Sequence, residues 1–266
     1  MLDIAGYKKY LYEEELSAST IEAYIYSITK FATMFDEVTK SNVILYKQWL
    51  TQNFKPKTVN LRLTGIMRYC DYKEIPMKIK NIKEPKLTHF ENVITPEQYD
   101  KLIARLEADN NERWLAHIKL LAKTGMRVNE ANRVKKCDLL RGYVTMNAKA
   151  HMRTILFPKS LVDDISHYLD KLEDNDTVMQ SARGGPITDR GISEALKKFA
   201  IKYDIPKEVM HPHSFRHFFA IEFIKRKNDI ALLADLLGHG SVNVTQIYLR
   251  QSQEQQKRAI DEAVDW

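Results

Sequence analysis

Five chemistry-bearing residues, His213, Arg216, His217, His239 and Tyr248, fall inside the forty-residue stretch HPHSFRHFFAIEFIKRKNDIALLADLLGHGSVNVTQIYLR, from His211 to Arg250. The rest of the chain must fold so as to serve this segment. A tyrosine that follows histidines and an arginine suggests a nucleophile aimed at phosphate. Guanidinium forks match phosphate oxygens, and a phenol forms a covalent phosphoester.

Two plainer explanations compete. Tyr248 is one of 13 tyrosines, and most tyrosines simply pack a helix. His211, His213 and His217 suggest a metal site, with His213 and His217 one helical turn apart. That grouping lacks a nearby carboxylate or thiolate to complete the shell, and Pro212 interrupts it. No metal and no cofactor are expected. A dinucleotide fingerprint and a phosphate-binding loop are both missing from the sequence.

Spacing sharpens the first possibility. His213-Ser-Phe-Arg216-His217 reads H-x-x-R-H, and Leu236-Leu-Gly-His239 is followed nine positions later by Tyr248. This pair of boxes resembles the tyrosine recombinases, the lambda integrase family, in which H-x-L-R-H and L-G-H-x-x-x-x-x-T-x-x-Y carry most of the active site. Phe215 stands where Leu is usual, and Gly240 where Ser is common. A third box, TGMRVNEANRV, is similar to the family's T-G-L-R-x-x-E-L, and it comes in the expected order. The resemblance implies Arg127 as the first catalytic arginine, with Glu130 and His217 in support. Lys149 matches the lysine carried on the family's hairpin, followed by an R-x-I-P-L-P segment similar to Arg153-Thr-Ile-Leu-Phe-Pro158. Ala150 stands where the family often has Gly, and an ordinary turn lysine is the alternative for Lys149.

What the resemblance implies is a site-specific DNA recombinase of the integrase type. Tyr248 attacks a phosphodiester, Arg127 and Arg216 clamp the charged intermediate geometry, and His239 adds a hydrogen bond. His213 accepts or relays the phenol proton, and Lys149 protonates the departing 5′ oxygen. A 3′-phosphotyrosyl bond results, which a 5′ hydroxyl reverses without ATP or metal. A type IB topoisomerase, relaxing DNA as a monomer, uses a similar residue set. A noncatalytic DNA-binding regulator on the same fold is the alternative from another class.

Length and composition allow this. With 266 residues, 44% of them hydrophobic, the chain supports two domains with real cores. A net charge of +6 and a pI near 9.0 suit a polyanion partner without demanding one. The two cysteines form no C-x-x-C pattern, so a reducing cytoplasm is expected. The charged opening MLDIAGYKKYLYEEEL does not read as a signal peptide, and no apolar run is long enough to span a membrane.

The expected fold class is mainly α: a helical, SAM-like N-terminal core-binding domain, then a mostly helical catalytic domain with a small antiparallel β-sheet. Residues 1–75 read as four helices. Ser19 to Glu22 suggests a capping box for the second, and Thr58 a cap for the fourth. Lys55, Lys57, Arg62 and Arg68 around the fourth helix are candidate DNA contacts, or a solvated face. The layout S-x-S-T-I-E-x-Y followed by K-P-K-T-V-N-x-R-L resembles the family's core-binding domain. Residues 76–94 read as a basic interdomain linker in which Lys83 and Lys86 would add phosphate contacts.

The catalytic domain is expected over 95–250. Thr95-Pro-Glu-Gln98 opens it as a capping box, and Gly125 ends its second helix. Strands are expected at 142–147 and 153–157, then helices at 161–172 and 192–203, the latter carrying Lys197 and Lys198 toward phosphate or water. Residues 251–266 read as a short tail helix that docks in cis or on a neighbouring subunit. The expected partners are double-stranded DNA and three further copies, forming a homotetramer on two DNA sites and a monomer or weak oligomer when free. No arm-binding domain like that of lambda-type integrases is expected ahead of residues 1–75.

Overall fold

The computed structural model describes residues 2–84, 92–148 and 151–238, together with Asp261 and Val264. Lys86, Lys149, His239, Tyr248 and nearly all of the expected tail helix lie outside these residues. The chain divides into two compact units, Met1–Lys86 and Leu87–Trp266.

The first unit is a bundle of α1 (Ile4–Glu13), α2 (Ala18–Ala32), α3 (Lys40–Asn53) and α4 (Pro56–Tyr72). Its core gathers Tyr7, Leu11, Ile21, Ile28, Phe31, Val43, Tyr46, Leu50, Val59, Leu63 and Ile66, the apolar stripes of four amphipathic helices turned inward. The buried Tyr7 hydroxyl donates to the Gly65 carbonyl at 2.7 Å, so α1 is tied to α4 by a satisfied polar contact.

Two caps fall elsewhere than the sequence suggests. Ser17, not Ser19, caps α2, accepting from the Thr20 amide at 3.3 Å. Helix α4 starts at Pro56, whose fixed φ and missing N–H suit the first helical position. Thr58 therefore sits inside the first turn instead of capping it.

Part of the segment expected as linker belongs to this bundle. Ile75, Met77, Ile79 and Ile82 pack against its core. The first three alternate at every second residue, as an extended chain on a surface does, so the segment lacks a helical period yet is held. Asn60 fastens it, donating to the Ile82 carbonyl at 3.0 Å and accepting from the Ile82 amide at 2.9 Å.

The second unit runs α5 (Pro96–Ala108), α6 (Glu112–Thr124), α7 (Val128–Ala131), α8 (Lys136–Arg141), β1 (Tyr143–Ala148), β2 (His151–Leu156), α9 (Lys159–Asp164), α10 (Ser166–Leu169), α11 (Asp189–Lys202), α12 (Pro212–Lys227) and α13 (Ile230–Leu237). Helix α5 opens with the capping box read from the sequence, Thr95 and Gln98 exchanging backbone contacts. Helix α6 lies at the centre, packed on α5, α9, α10 and α12, and it buries Ala116, Ile118, Leu120 and Leu121.

Strands β1 and β2 pair antiparallel, from Tyr143 opposite Leu156 to Ala148 opposite His151. The helix expected over 161–172 is broken at Ile165, where φ −120° and ψ 11° separate α9 from α10. A satellite cluster of Ala220, Ile224, Leu233 and Leu237 seats α13 on α12. That contact fixes where the last turn of α13 ends.

Candidate active site

Helix α12 is launched by His211, whose Nδ1 accepts from the Ser214 amide at 3.1 Å, with Pro212 in the first turn. His211 is thereby engaged in capping. The Ser214 hydroxyl, wholly buried, accepts from the Ile94 amide at 2.8 Å. The start of α12 is thus pinned from two sides. His213 and His217 follow one turn apart, their rings 6.0 Å between centroids and 23° from parallel. His213 is exposed and His217 half-buried. Among the described residues no three His, Cys, Asp or Glu side chains gather as a metal ion would require.

Arg216 points the other way, into the protein, and is only 3% exposed. Its Nη1 donates to the Gly125 carbonyl and its Nη2 to the Leu237 carbonyl, each at 2.7 Å. Gly125 is the left-handed cap of α6, at φ 59°. A β-carbon there would fall 2.4 Å from Phe219 of α12. This close approach lets Arg216 reach across.

Two residues beyond Gly125 stands Arg127, at the start of α7. The Glu130 carboxylate closes that turn, accepting the Arg127 amide at 2.8 Å and its Nη1 at 3.2 Å. Arg127 Nη2 reaches the Gly238 carbonyl at 3.4 Å. Its side chain remains 38% exposed, so it is anchored from behind while part of the guanidinium faces out.

A third arginine completes the cluster, and sequence reasoning assigned it no role. Arg153, on β2, is 7% exposed and donates from Nη1 to both Glu130 oxygens, at 2.9 and 2.8 Å. Its Nη2 donates to the Leu236 carbonyl. Burial pushes this guanidinium below its ordinary pKa, and the Glu130 charge opposes that fall. The sequence carried a signal of its burial, though not of its partners. Along β2 and the residue that follows it, Arg153, Ile155 and Phe157 alternate with the exposed Met152 and Leu156, so the arginine occupies a core-facing register position.

The consequence is an ordered set of contacts. Leu236, Leu237 and Gly238, three successive carbonyls at the end of α13, each receive an arginine: Arg153, Arg216 and Arg127 in turn. A helix C-terminus leaves such carbonyls without intrahelical donors and carries partial negative charge, which suits cationic donors. The residue that follows Gly238 is His239.

Of the other candidates, Lys55, Lys57, Arg68 and Lys83 are exposed on the first unit, and Lys197 and Lys198 on α11. Arg68 lies 3.6 Å from Asp71. Arg62 is half-buried and engaged within the bundle, its guanidinium 4.0 Å over the Tyr26 ring and donating to the Ala23 carbonyl at 3.3 Å. Among the described residues no helix is long and apolar enough to cross a membrane.

A mostly helical unit that presents two arginines from separate boxes, braced on one helix end, places this chain in the class of tyrosine recombinases, enzymes that break and rejoin DNA. The chain belongs to the phage integrase family, whose model matches residues 92–255. It is 27% identical to the tyrosine recombinase XerA of Pyrococcus furiosus, the match covering 96% of this chain and 91% of that protein. It is 26% identical to the tyrosine recombinase XerC of Staphylococcus epidermidis, over 96% of this chain and 79% of the relative. The fold is shared with the Tn1549 transposon integrase solved with transposon right end DNA, at a TM-score of 0.73 and 15% identity, covering 99% of both chains. A lambda integrase tetramer bound to a Holliday junction matches at a TM-score of 0.71 and 18% identity, over 98% of this chain and 77% of that one. The expected fold class therefore holds, an α-rich chain with, among the described residues, a small antiparallel sheet, and the chain is a site-specific recombinase acting on DNA.

Proposed function

We propose that Arg127, Lys149, His213, Arg216, His239 and Tyr248 carry the reaction, with Glu130 and His217 in support. The observation behind this assignment is the convergence of Arg127 and Arg216 on neighbouring carbonyls of Gly238 and Leu237, next to His239 in the chain. Phosphoryl transfer to a phenol needs two things at once: positive charge on the nonbridging oxygens and an aligned nucleophile. The paired arginines supply the first. Tyr248 supplies the second, attacking phosphorus so that the P–O5′ bond breaks and the 3′ phosphate stays on the protein. His213 takes the phenol proton, and Lys149 delivers a proton to the leaving 5′ oxygen. Atoms and charge balance without metal or nucleotide.

Double-stranded DNA is the substrate, and Lys55, Lys57, Arg62, Arg68, Lys83, Lys86, Lys197 and Lys198 contact its phosphates. The working unit is a homotetramer on two DNA sites, closed by tails 251–266 in head-to-tail contact, and a weak oligomer when free. The compartment is the cytoplasm, which the free thiols of Cys70 and Cys137 support.

The deciding experiment uses a nicked suicide substrate. Tyr248→Phe removes one oxygen, so DNA binding is retained and the covalent adduct disappears. Adduct at the wild-type rate would overturn the nucleophile assignment. Deleting 252–266 is expected to leave single-site binding and abolish the two-site complex in a mobility assay; normal synapsis by the truncated chain would refute the tail-closed ring.

A further inference from the structure

We propose that Arg153 is a positioning residue for the recombination chemistry: through Glu130 on one side and the Leu236–Gly238 turn on the other, it holds the Arg127 guanidinium in its phosphate-facing pose. The proposal rests on the assignment of Arg127 to the phosphate clamp and adds a residue to it.

Three observations carry it. Glu130 is shared. Its Oε1 accepts from Arg127 Nη1 at 3.2 Å and from Arg153 Nη1 at 2.9 Å, while its Oε2 accepts the Arg127 amide and Arg153 Nη1, both at 2.8 Å. Arg127 thus depends, in side chain and backbone alike, on a carboxylate that Arg153 immobilises. A buried carboxylate with one of its two guanidinium partners removed would be free to swing from its place.

The second observation is contact with the helix end. Arg153 Nη2 donates to the Leu236 carbonyl, two residues before the carbonyl that Arg127 uses. Its stem also runs directly over Gly238. A β-carbon at Gly238 would fall 2.5 Å from Arg153 Cδ and 2.8 Å from its Nε. The arginine and the glycine are fitted to one another, and the peptide that fixes Arg127 from behind is itself braced by Arg153.

The third is the asymmetry of exposure. Arg153 is 7% exposed and Glu130 9%, whereas the Arg127 side chain is 38% exposed. Only Arg127 of the three presents substantial surface to a ligand. Arg153 acts through another residue and is not expected to touch DNA.

The test separates positioning from simple loss of fold. Cleavage of an ordinary phosphodiester is compared with cleavage of a methylphosphonate at the scissile position, where one nonbridging oxygen is replaced by a methyl and less charge needs a guanidinium. Arg127→Ala is the reference. Arg153→Met is expected to slow phosphodiester cleavage by about 10- to 100-fold, the scale of a misplaced catalytic group. DNA affinity should change by less than about threefold, because no phosphate contact is removed. On the methylphosphonate the deficits of Arg153→Met and Arg127→Ala should both shrink. Arg153→Lys keeps the charge but loses the fork that spans Glu130 and Leu236, so it should show a milder deficit of the same kind. It supplies the measurement if Arg153→Met does not fold, with circular dichroism reporting folding for each variant.

An Arg127→Ala deficit that shrinks, beside a folded Arg153 variant whose deficit is equal on both substrates, overturns the proposal and leaves the clamp assignment standing. An Arg127→Ala deficit that does not shrink overturns the clamp assignment, and the proposal with it.

Discussion

Arg216 Nη2 donates to the Leu237 carbonyl at 2.7 Å, which ties the helix carrying the second arginine box to the helix that ends just before His239. The same guanidinium holds Gly125 through Nη1, two residues ahead of Arg127. One buried side chain therefore links three boxes that lie far apart in sequence.

Arg216→Lys tests that linkage. An ammonium is a compact point charge and does not span two carbonyls on different elements as a fork does. We expect destabilisation by about 2–3 kcal/mol, the scale of a lost charged hydrogen bond in a buried setting, and a cleavage loss above about 100-fold. Urea unfolding and suicide-substrate kinetics on the same preparation measure both. A lysine variant with wild-type stability would show that the two carbonyl contacts contribute little.

Glycine at 238 answers to two demands, a left-handed backbone at φ 61° and the passage of Arg153 where a β-carbon would stand. Gly142 meets only the first: φ is 86°, and nothing lies within 4 Å of where an added β-carbon would stand. Gly142→Ala should therefore cost about 1 kcal/mol from backbone strain alone. Gly238→Ala should cost about 2–4 kcal/mol, because strain and overpacking add, and it should also slow cleavage. Denaturant midpoints for the two variants decide this, and equal losses would mean that the Arg153 contact yields easily.

Lys149 is separable from an ordinary turn lysine by leaving-group chemistry. A general acid is unnecessary when the leaving group is already good. Lys149→Ala should cripple cleavage of normal DNA and recover on a 5′-bridging phosphorothiolate. If no defect appears, or the sulfur substrate brings no recovery, another residue supplies the proton. Running the wild-type reaction in EDTA should leave it unchanged; a loss there would revive a metal role for the α12 histidines.

Much of this fold is legible in the sequence because the signals are local. Thr95 to Gln98 forms the expected box, Gly125 ends α6, and the hairpin falls within a few residues of its expected strands. Differences arise where two local signals compete. Ser17 and Ser19 both offer an N-cap, and the chain uses the earlier one. Pro56 outweighs Thr58 because a proline in the first turn costs no hydrogen bond. The segment after Glu74 reads as linker since its apolar residues alternate instead of recurring helically, yet Met77, Ile79 and Ile82 are held by the bundle. At the site, Arg127, Glu130 and Arg216 are readable from their boxes. The role of Arg153 is not, because its partners Glu130 and Leu236 are distant in sequence and only packing brings them together.

His117 gives the second unit an acid-sensitive core. It is wholly buried in α6, its ring 4.9 Å from that of Trp114 and 6.4 Å from that of Tyr168. Burial foremost, with Arg113 adding to it, drives its pKa down from 6.5 to about 3. The unfolded chain therefore binds this proton at a pH where the folded protein does not. Above about pH 6.5 the two states agree, and the neutral ring's packing contributes in full. As pH falls from there toward 3, protonation favours the unfolded state, with a slope approaching about 1.4 kcal/mol per pH unit from this group. Carboxylates of the salt bridges begin to titrate at the lower end of the same window, so the histidine's share is isolated by substitution. His117→Leu, close in volume and free of a titrating group, should flatten the stability curve between about pH 6 and 4.5 while leaving its lower limb intact. Urea titrations across that range provide the comparison, and parallel curves for the two proteins would show that His117 stays uncoupled from unfolding.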